Sequence, residues 1–162
     1  MAKAKSHVPE GLRSVTPHLV LKNSLDAIEF YKKAFGAELV NHAPGPMPRS
    51  TMHAMIRIGD SAIMLADEMP QSTVKAPKSI GGTTSSISLY VPDVDATFNK
   101  AVAAGAKVNM PVGDQFWGDR YGQVLDPEGH LWEIATHKED LTPQELEQRA
   151  GAFMAQMAKQ QK

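Results

Sequence analysis

The feature that most constrains this chain is that its sequence repeats itself. Asp26-Ala27 lies over Asp95-Ala96, Gly36-Ala37 over Gly105-Ala106, and Ile63-Met64-Leu65-Ala66 over Trp132-Glu133-Ile134-Ala135, all at one constant offset. With one extra residue the opening segments match as well, Leu19 on Leu89 and Leu21 on Val91. A shared order at one offset means that a single supersecondary unit is used twice, each copy burying apolar surface that it cannot cover alone.

The order within each copy follows from the residue pattern. Val15 to Leu21 is short and rich in apolar and β-branched residues, a strand. Asn23 and Ser24 offer capping oxygens before a helix over Leu25 to Phe35, which Gly36 stops at a position suited to positive φ. Glu38 to His42 reads as a strand, and Ala43 to Ser50, with three prolines, as a loop. Met52 to Ile58 and Ser61 to Ala66 form a hairpin about Gly59-Asp60. In the second copy Ser85 to Val91 is a strand, Asp93 to Ala104 a helix ended by Gly105, and Lys107 to Met110 a strand. Pro111 to Tyr121 reads as an aromatic-bearing loop, and Gly122 to Thr136 as a hairpin turning at Asp126-Pro127-Glu128-Gly129.

The expected fold class is therefore α+β: two tandem βαβββ modules forming a cupped mixed β-sheet, with a C-terminal helix. The modules span 15–68 and 85–137, behind a flexible tail over 1–14. The linker 69–84 is long enough to be a module boundary or a lid over a site. In the helix over 141–160, Thr142-Pro143-Gln144-Glu145 is a capping box with proline at the first helical position. Its apolar stripe, Leu146, Ala150, Phe153, Met154 and Met157, suits a helix docked on the domain or a contact with a second copy of the chain.

Composition narrows the chemistry. With no cysteine in 162 residues, disulfides, Cys nucleophiles and thiolate metal sites are excluded. A net charge of −1 gives no electrostatic case for nucleic acid or membrane partners. No apolar run approaches the roughly 20 residues of a spanning helix. The start of the chain carries Lys3, Lys5 and Pro9 but no apolar signal-peptide segment, so a cytoplasmic location is expected.

Strand alternation separates two faces. Leu19, Leu21, Ala54, Ile56, Ile58, Ile63, Leu65, Ile87, Leu89, Val91, Trp132 and Ile134 form an apolar set for the helices to cover. Thr16, His18, Val20, His53, Met55, Arg57, Met64, Ser86, Ser88, Tyr90, Leu131 and Glu133 form the opposite set. Its mixture of polar, ionisable and adaptable groups suits a small-molecule pocket.

Several stretches together, AIEFYKKAFGA, RIGDSAIML, SISLYVPDVDA and FWGDRYGQVLDPEGHLWEI, resemble the vicinal oxygen chelate (glyoxalase/bleomycin-resistance/dioxygenase) superfamily over Val15 to His137. The wording MHAMIRIGDSAIMLADEMP and DQFWGDRYG is similar to its PhnB-like, glyoxalase-like subgroup. That resemblance implies a divalent metal held by four residues of the concave face, which here fall on Thr16, Met64, Ser86 and Glu133. Glu133 is a good ligand among them; Met64 is a soft thioether unsuited to hard ions. The standard metal site is thus expected to be lost and no cofactor is expected, with a non-standard triad of His18, His53 and Glu133 left open.

Three functional readings follow. The first is a metal-independent protein binding a small molecule in the cup. Arg57 would pair with an anionic group, and Trp117, Arg120 and Tyr121 would border the cup. The second is a lyase or isomerase of the glyoxalase type acting on a small oxygenated or anionic substrate. In it Glu133 would be base or metal ligand, and His18 or His53 its acid–base partner. The third is a structural or regulatory dimer built on the C-terminal helix. A homodimer is expected in any case, since paired modules leave sheet edges to cover.

Overall fold

The structure is a computed structural model that describes residues 3–160. Two four-stranded sheets carry the repeat. β1 (His18–Leu21), α1 (Ser24–Phe35), β2 (Glu38–Pro44), β3 (Thr51–Ile58) and β4 (Ser61–Asp67) form the first module. The linker holds one turn of helix, α2 (Pro77–Ile80). β5 (Ser86–Tyr90), α3 (Val94–Ala103), β6 (Lys107–Asp114), β7 (Asp119–Leu125) and β8 (Leu131–His137) form the second, and α4 (Pro143–Gln160) follows. The strand orders are β1-β4-β3-β2 and β5-β8-β7-β6, each with its first and last strands paired in parallel. Leu19 pairs with Leu65 in one ladder and Leu89 with Ile134 in the other, so the sequence repeat is also a repeat of register.

Local chemistry sets the helix ends. The Asn23 side chain accepts from the Asp26 N–H, and Asp93 does the same for Ala96. Gly36, at φ 67°, closes α1 and donates back to the Lys32 carbonyl. The apolar set read from alternation is the face that α1 and α3 cover, and it merges with helix residues into one core spanning both modules. Trp132 and Tyr31 are fully buried there, their rings 5.3 Å apart.

The modules are fastened at the β7–β8 turn. Buried Asp126 accepts from Tyr31 Oη at 2.7 Å and Trp132 Nε1 at 3.0 Å through one oxygen, and from the backbone N–H groups of Glu128 and His130 through the other. Glu128 accepts from the N–H groups of Lys22 and Asn23, and His130 Nε2 bonds the Val20 carbonyl. The linker packs beside this seam. Pro77 lies against Gly129, and Glu68 holds the Ala76 N–H and the Ser79 hydroxyl, bonds that bring its pKa to about 2. The linker therefore braces the junction, and its residues are not among those lining the hollow on the second module.

Five elements differ from the sequence expectation. β1 begins at His18, leaving Val15 and Thr16 outside the ladder. β2 runs on to Pro44 and β6 to Asp114, through prolines that had read as loop. Both are edge strands with register shifts, where a missing N–H is tolerated. β8 extends through His137, which had read as a post-strand residue. Finally α4 is not docked: Phe153, at 39% exposure, touches Phe116, but Met154 is 67% exposed and Met157 42%.

Candidate functional site

On the sheet face turned away from the helices, the second module gathers a polar and aromatic cluster. Register places Ser88 beside Glu133 and Tyr90 beside Ala135 across β5–β8, and Asp119 beside His137 and Tyr121 beside Ala135 across β7–β8. Two hydrogen-bonded groups result, each centred on a carboxylate. Buried Asp119 accepts from Tyr90 Oη at 2.8 Å and Trp117 Nε1 at 3.1 Å, and holds His137 Nδ1 at 2.7 Å. His137 Nε2 reaches Asp140 at 3.0 Å. Glu133 accepts from the Ser88 hydroxyl at 2.7 Å, with Tyr121 beside it held by Gln123.

Between them lies an open hollow of about 250 Å³, lined by Ser88, Tyr90, Trp117, Asp119, Tyr121, Glu133 and Ala135. The Trp117 and Tyr121 rings are 5.5 Å apart at 79°, an aromatic corner. The loop that carries Trp117 depends on Gly118, at φ 96°. Its carbonyl takes the Lys138 and Glu139 N–H groups, and an added Cβ would stand 2.5 Å from the Glu139 carbonyl.

The ionisable groups respond to this packing. Burial opposes the Asp119 charge, but the bonds from His137, Tyr90 and Trp117 outweigh it and hold its pKa below the usual value. Asp119 and Asp140 together raise that of His137. The bond to Asp119 raises the Tyr90 phenol, and burial raises Tyr121.

The structure distributes the residues singled out from sequence as follows. Ser88, Tyr90, Trp117, Tyr121 and Glu133 meet at the hollow. Ser86 is exposed on β5, outside its lining. Arg120 turns to the outer edge, bonding Asp95 and Asp114, and takes no part in the hollow. Arg57 is exposed and pairs with Glu38 on the neighbouring strand. His18 and His53 stand together on the first module, ring centroids 6.0 Å apart, with Met64 in register beside His18. Partial burial, then the His53 charge, lowers the His18 pKa. Thr16 lines a second cavity of about 380 Å³ in the seam between the β3–β4 turn and β5. That larger cavity is floored by core side chains, Ile58, Ile63 and Trp132, and shares Ser88 and Tyr90 with the hollow, but Glu133, Asp119, Trp117 and Tyr121 do not line it.

Asp119 and His137 were missed from sequence. Period-two parity carried from Ala135 to His137 on one strand, and from Gln123 through Tyr121 to Asp119 on the other, would have found them, but both strands had been read too short.

A divalent ion does not fit this donor set. Met64 and Glu133 stand in register with His18 and Ser88, not with Thr16 and Ser86. Whichever first-strand pair is taken, the positions bring at most one imidazole and one carboxylate, the rest being hydroxyls and a thioether. Among the described residues no three of His, Asp and Glu converge as a metal-holding group, so His18, His53 and Glu133 form no triad. Among the same residues no helix is long and apolar enough to cross a membrane.

Paired βαβββ modules with a polar cluster on one sheet face are the build of a known class. Residues 18–134 match the model of the Glyoxalase/Bleomycin resistance protein/Dioxygenase superfamily, and the chain belongs to that family. It is 42% identical over 137 residues to the uncharacterized protein Rv0887c of Mycobacterium tuberculosis, covering 83% of this chain and 80% of that one. It also resembles the crystal structure of TioX from Micromonospora sp. ML1, with a TM-score of 0.60 and 28% identity over 80% of this chain and all of that one. A PhnB protein from Bacillus cereus shares the fold, with a TM-score of 0.60 at 18% identity over 76% of this chain and 99% of that one.

Proposed function

We propose that the chain binds a small organic molecule on the open face of its second module, held by aromatic rings and Glu133 and not by a metal ion. The observation that carries this reading is the hollow itself. Tyr90, Trp117 and Tyr121 wall it, and Ser88, Asp119 and Glu133 supply oriented polar groups at its base. A few fixed polar groups among apolar and aromatic walls are the usual composition of a ligand site. The rings are fixed before any ligand arrives, since Asp119 ties Tyr90 and Trp117 together, and preorganisation reduces the entropy lost on binding.

The test is a small-molecule screen followed by indole fluorescence and thermal shift, comparing the native chain with Tyr121→Ala. The proposal predicts hits whose effects disappear in the variant. Hits that persist undiminished in Tyr121→Ala, while responding to a substitution at Ile63 in the seam cavity, would move the site there and defeat the proposal.

A further inference from the structure

We infer that the hollow selects an organic cation, an ammonium headgroup of a few heavy atoms, over neutral or anionic molecules of the same shape. This rests on the reading above and names the ligand class it leaves open. One charge at the hollow is unbalanced. Several carboxylates have a cation beside them, Asp95 and Asp114 sharing Arg120, Glu38 with Arg57, Glu68 with Lys22 and Lys75, and Glu128 with Lys78. Asp67, Asp93 and Asp126 instead direct their oxygens to backbone N–H groups or buried side-chain donors that cap helices and turns. Glu133 has no such cation. Its partners are the Ser88 hydroxyl and neighbouring Tyr121, and among the described residues no Lys, Arg or His pairs with it.

The second carboxylate does not change that balance. Asp119 is matched by His137, whose other nitrogen faces Asp140, so the cluster carries no spare positive charge towards the hollow. Arg120, the nearest candidate in sequence, is held on the outer edge by two aspartates. What remains is one unneutralised carboxylate among three rings. Aromatic faces attract cations through their quadrupole, and the attraction grows as water is excluded. A neutral guest would leave Glu133 unmatched, and an anionic one would oppose it directly. At about 250 Å³ the hollow is smaller than the pockets that enclose drug-sized ligands, so it suits a headgroup.

The experiment titrates the intact chain with three probes of one shape at constant ionic strength: choline, neohexyl alcohol with carbon in place of nitrogen, and tert-butylacetate. Resonances of the Trp117 indole N–H and the Tyr121 and Glu133 amides report the site, and the buried Trp132 indole is the internal control. Choline should bind about tenfold tighter than the alcohol, and tert-butylacetate more weakly than both. Glu133→Gln should cut the choline-to-alcohol ratio several-fold, leaving the smaller preference the rings supply, with the Trp132 signal unmoved; an undiminished ratio would overturn the role given to Glu133. Equal affinity of choline and the alcohol for the native chain would overturn the charge preference and leave the pocket reading standing. If none of the three perturbed Trp117 or Tyr121 at tens of millimolar, the pocket reading would fall, and this inference with it.

Discussion

Asp126 offers a sharp test of how the two modules are joined. Four donors converge on its carboxylate: the Tyr31 hydroxyl, the Trp132 indole and two backbone N–H groups of its own turn. Asp126→Ala leaves all four without a partner, and both side-chain donors belong to fully buried residues. A hydrogen bond to a charged group contributes about 1.5–3 kcal/mol, and the two donors on fully buried side chains set the scale of the loss. The loss should therefore be about 4 kcal/mol, dominated by Tyr31 and Trp132. For a chain of this size that lowers Tm by about 8–16 °C. Tyr31→Phe should cost about 1–2 kcal/mol, since Asp126 keeps its other three donors. In the Asp126→Ala background the same change should cost almost nothing, because it removes an orphaned hydroxyl. Urea unfolding followed by tryptophan fluorescence would measure all corners of this cycle. A loss below about 1 kcal/mol for Asp126→Ala, or simple additivity of the two changes, would refute the account of the joint.

Two further outcomes follow from the geometry. His137 has a folded-state pKa above its usual 6.5 because Asp119 and Asp140 favour its protonated form. Its contribution is thus full below the unfolded value and lost as pH rises through the folded one. Stability should decline just above pH 6.5 in the native chain and stay flatter in His137→Gln; an NMR titration placing the His137 pKa below 6.5 would contradict this. Truncation after Asp140 should shift Tm by no more than about 4 °C, because α4 meets the domain through little more than Phe153 on Phe116 and Arg149 on Glu139. A larger fall in a thermal melt would mean that α4 supports the core.

Much of the architecture was readable because it follows from local periodicity. The repeat, the helix-covered face and the turn at Asp126 need only alternation, caps and turn residues, and these agree at each level. The edges of the sheets were not readable. In β6, Pro111 and Gly113 carry the usual marks of a loop, yet the strand continues past a register shift because its outer side has no ladder to satisfy. That misreading concealed β7 from Asp119 onward, and with it the centre of the Tyr90, Trp117 and His137 cluster. Arg120 was misplaced for a related reason. Read as loop, it had no assigned face; once β7 begins at Asp119, alternation sends Arg120 to the side opposite Asp119 and Tyr121, where Asp95 and Asp114 hold it. The stripe on α4 met another limit: amphipathicity says that a face is apolar, not what covers it.

The central claim is that the hollow on the second module holds its molecule without a chelated ion. Equilibrium dialysis of the chain against zinc, nickel and manganese, alongside Glu133→Gln, tests it most directly. No stoichiometric ion should depend on Glu133, since the surrounding donors are the Ser88 hydroxyl, the Tyr90 and Tyr121 phenols and an already engaged Asp119. One tightly held ion per chain, lost in Glu133→Gln, would contradict it.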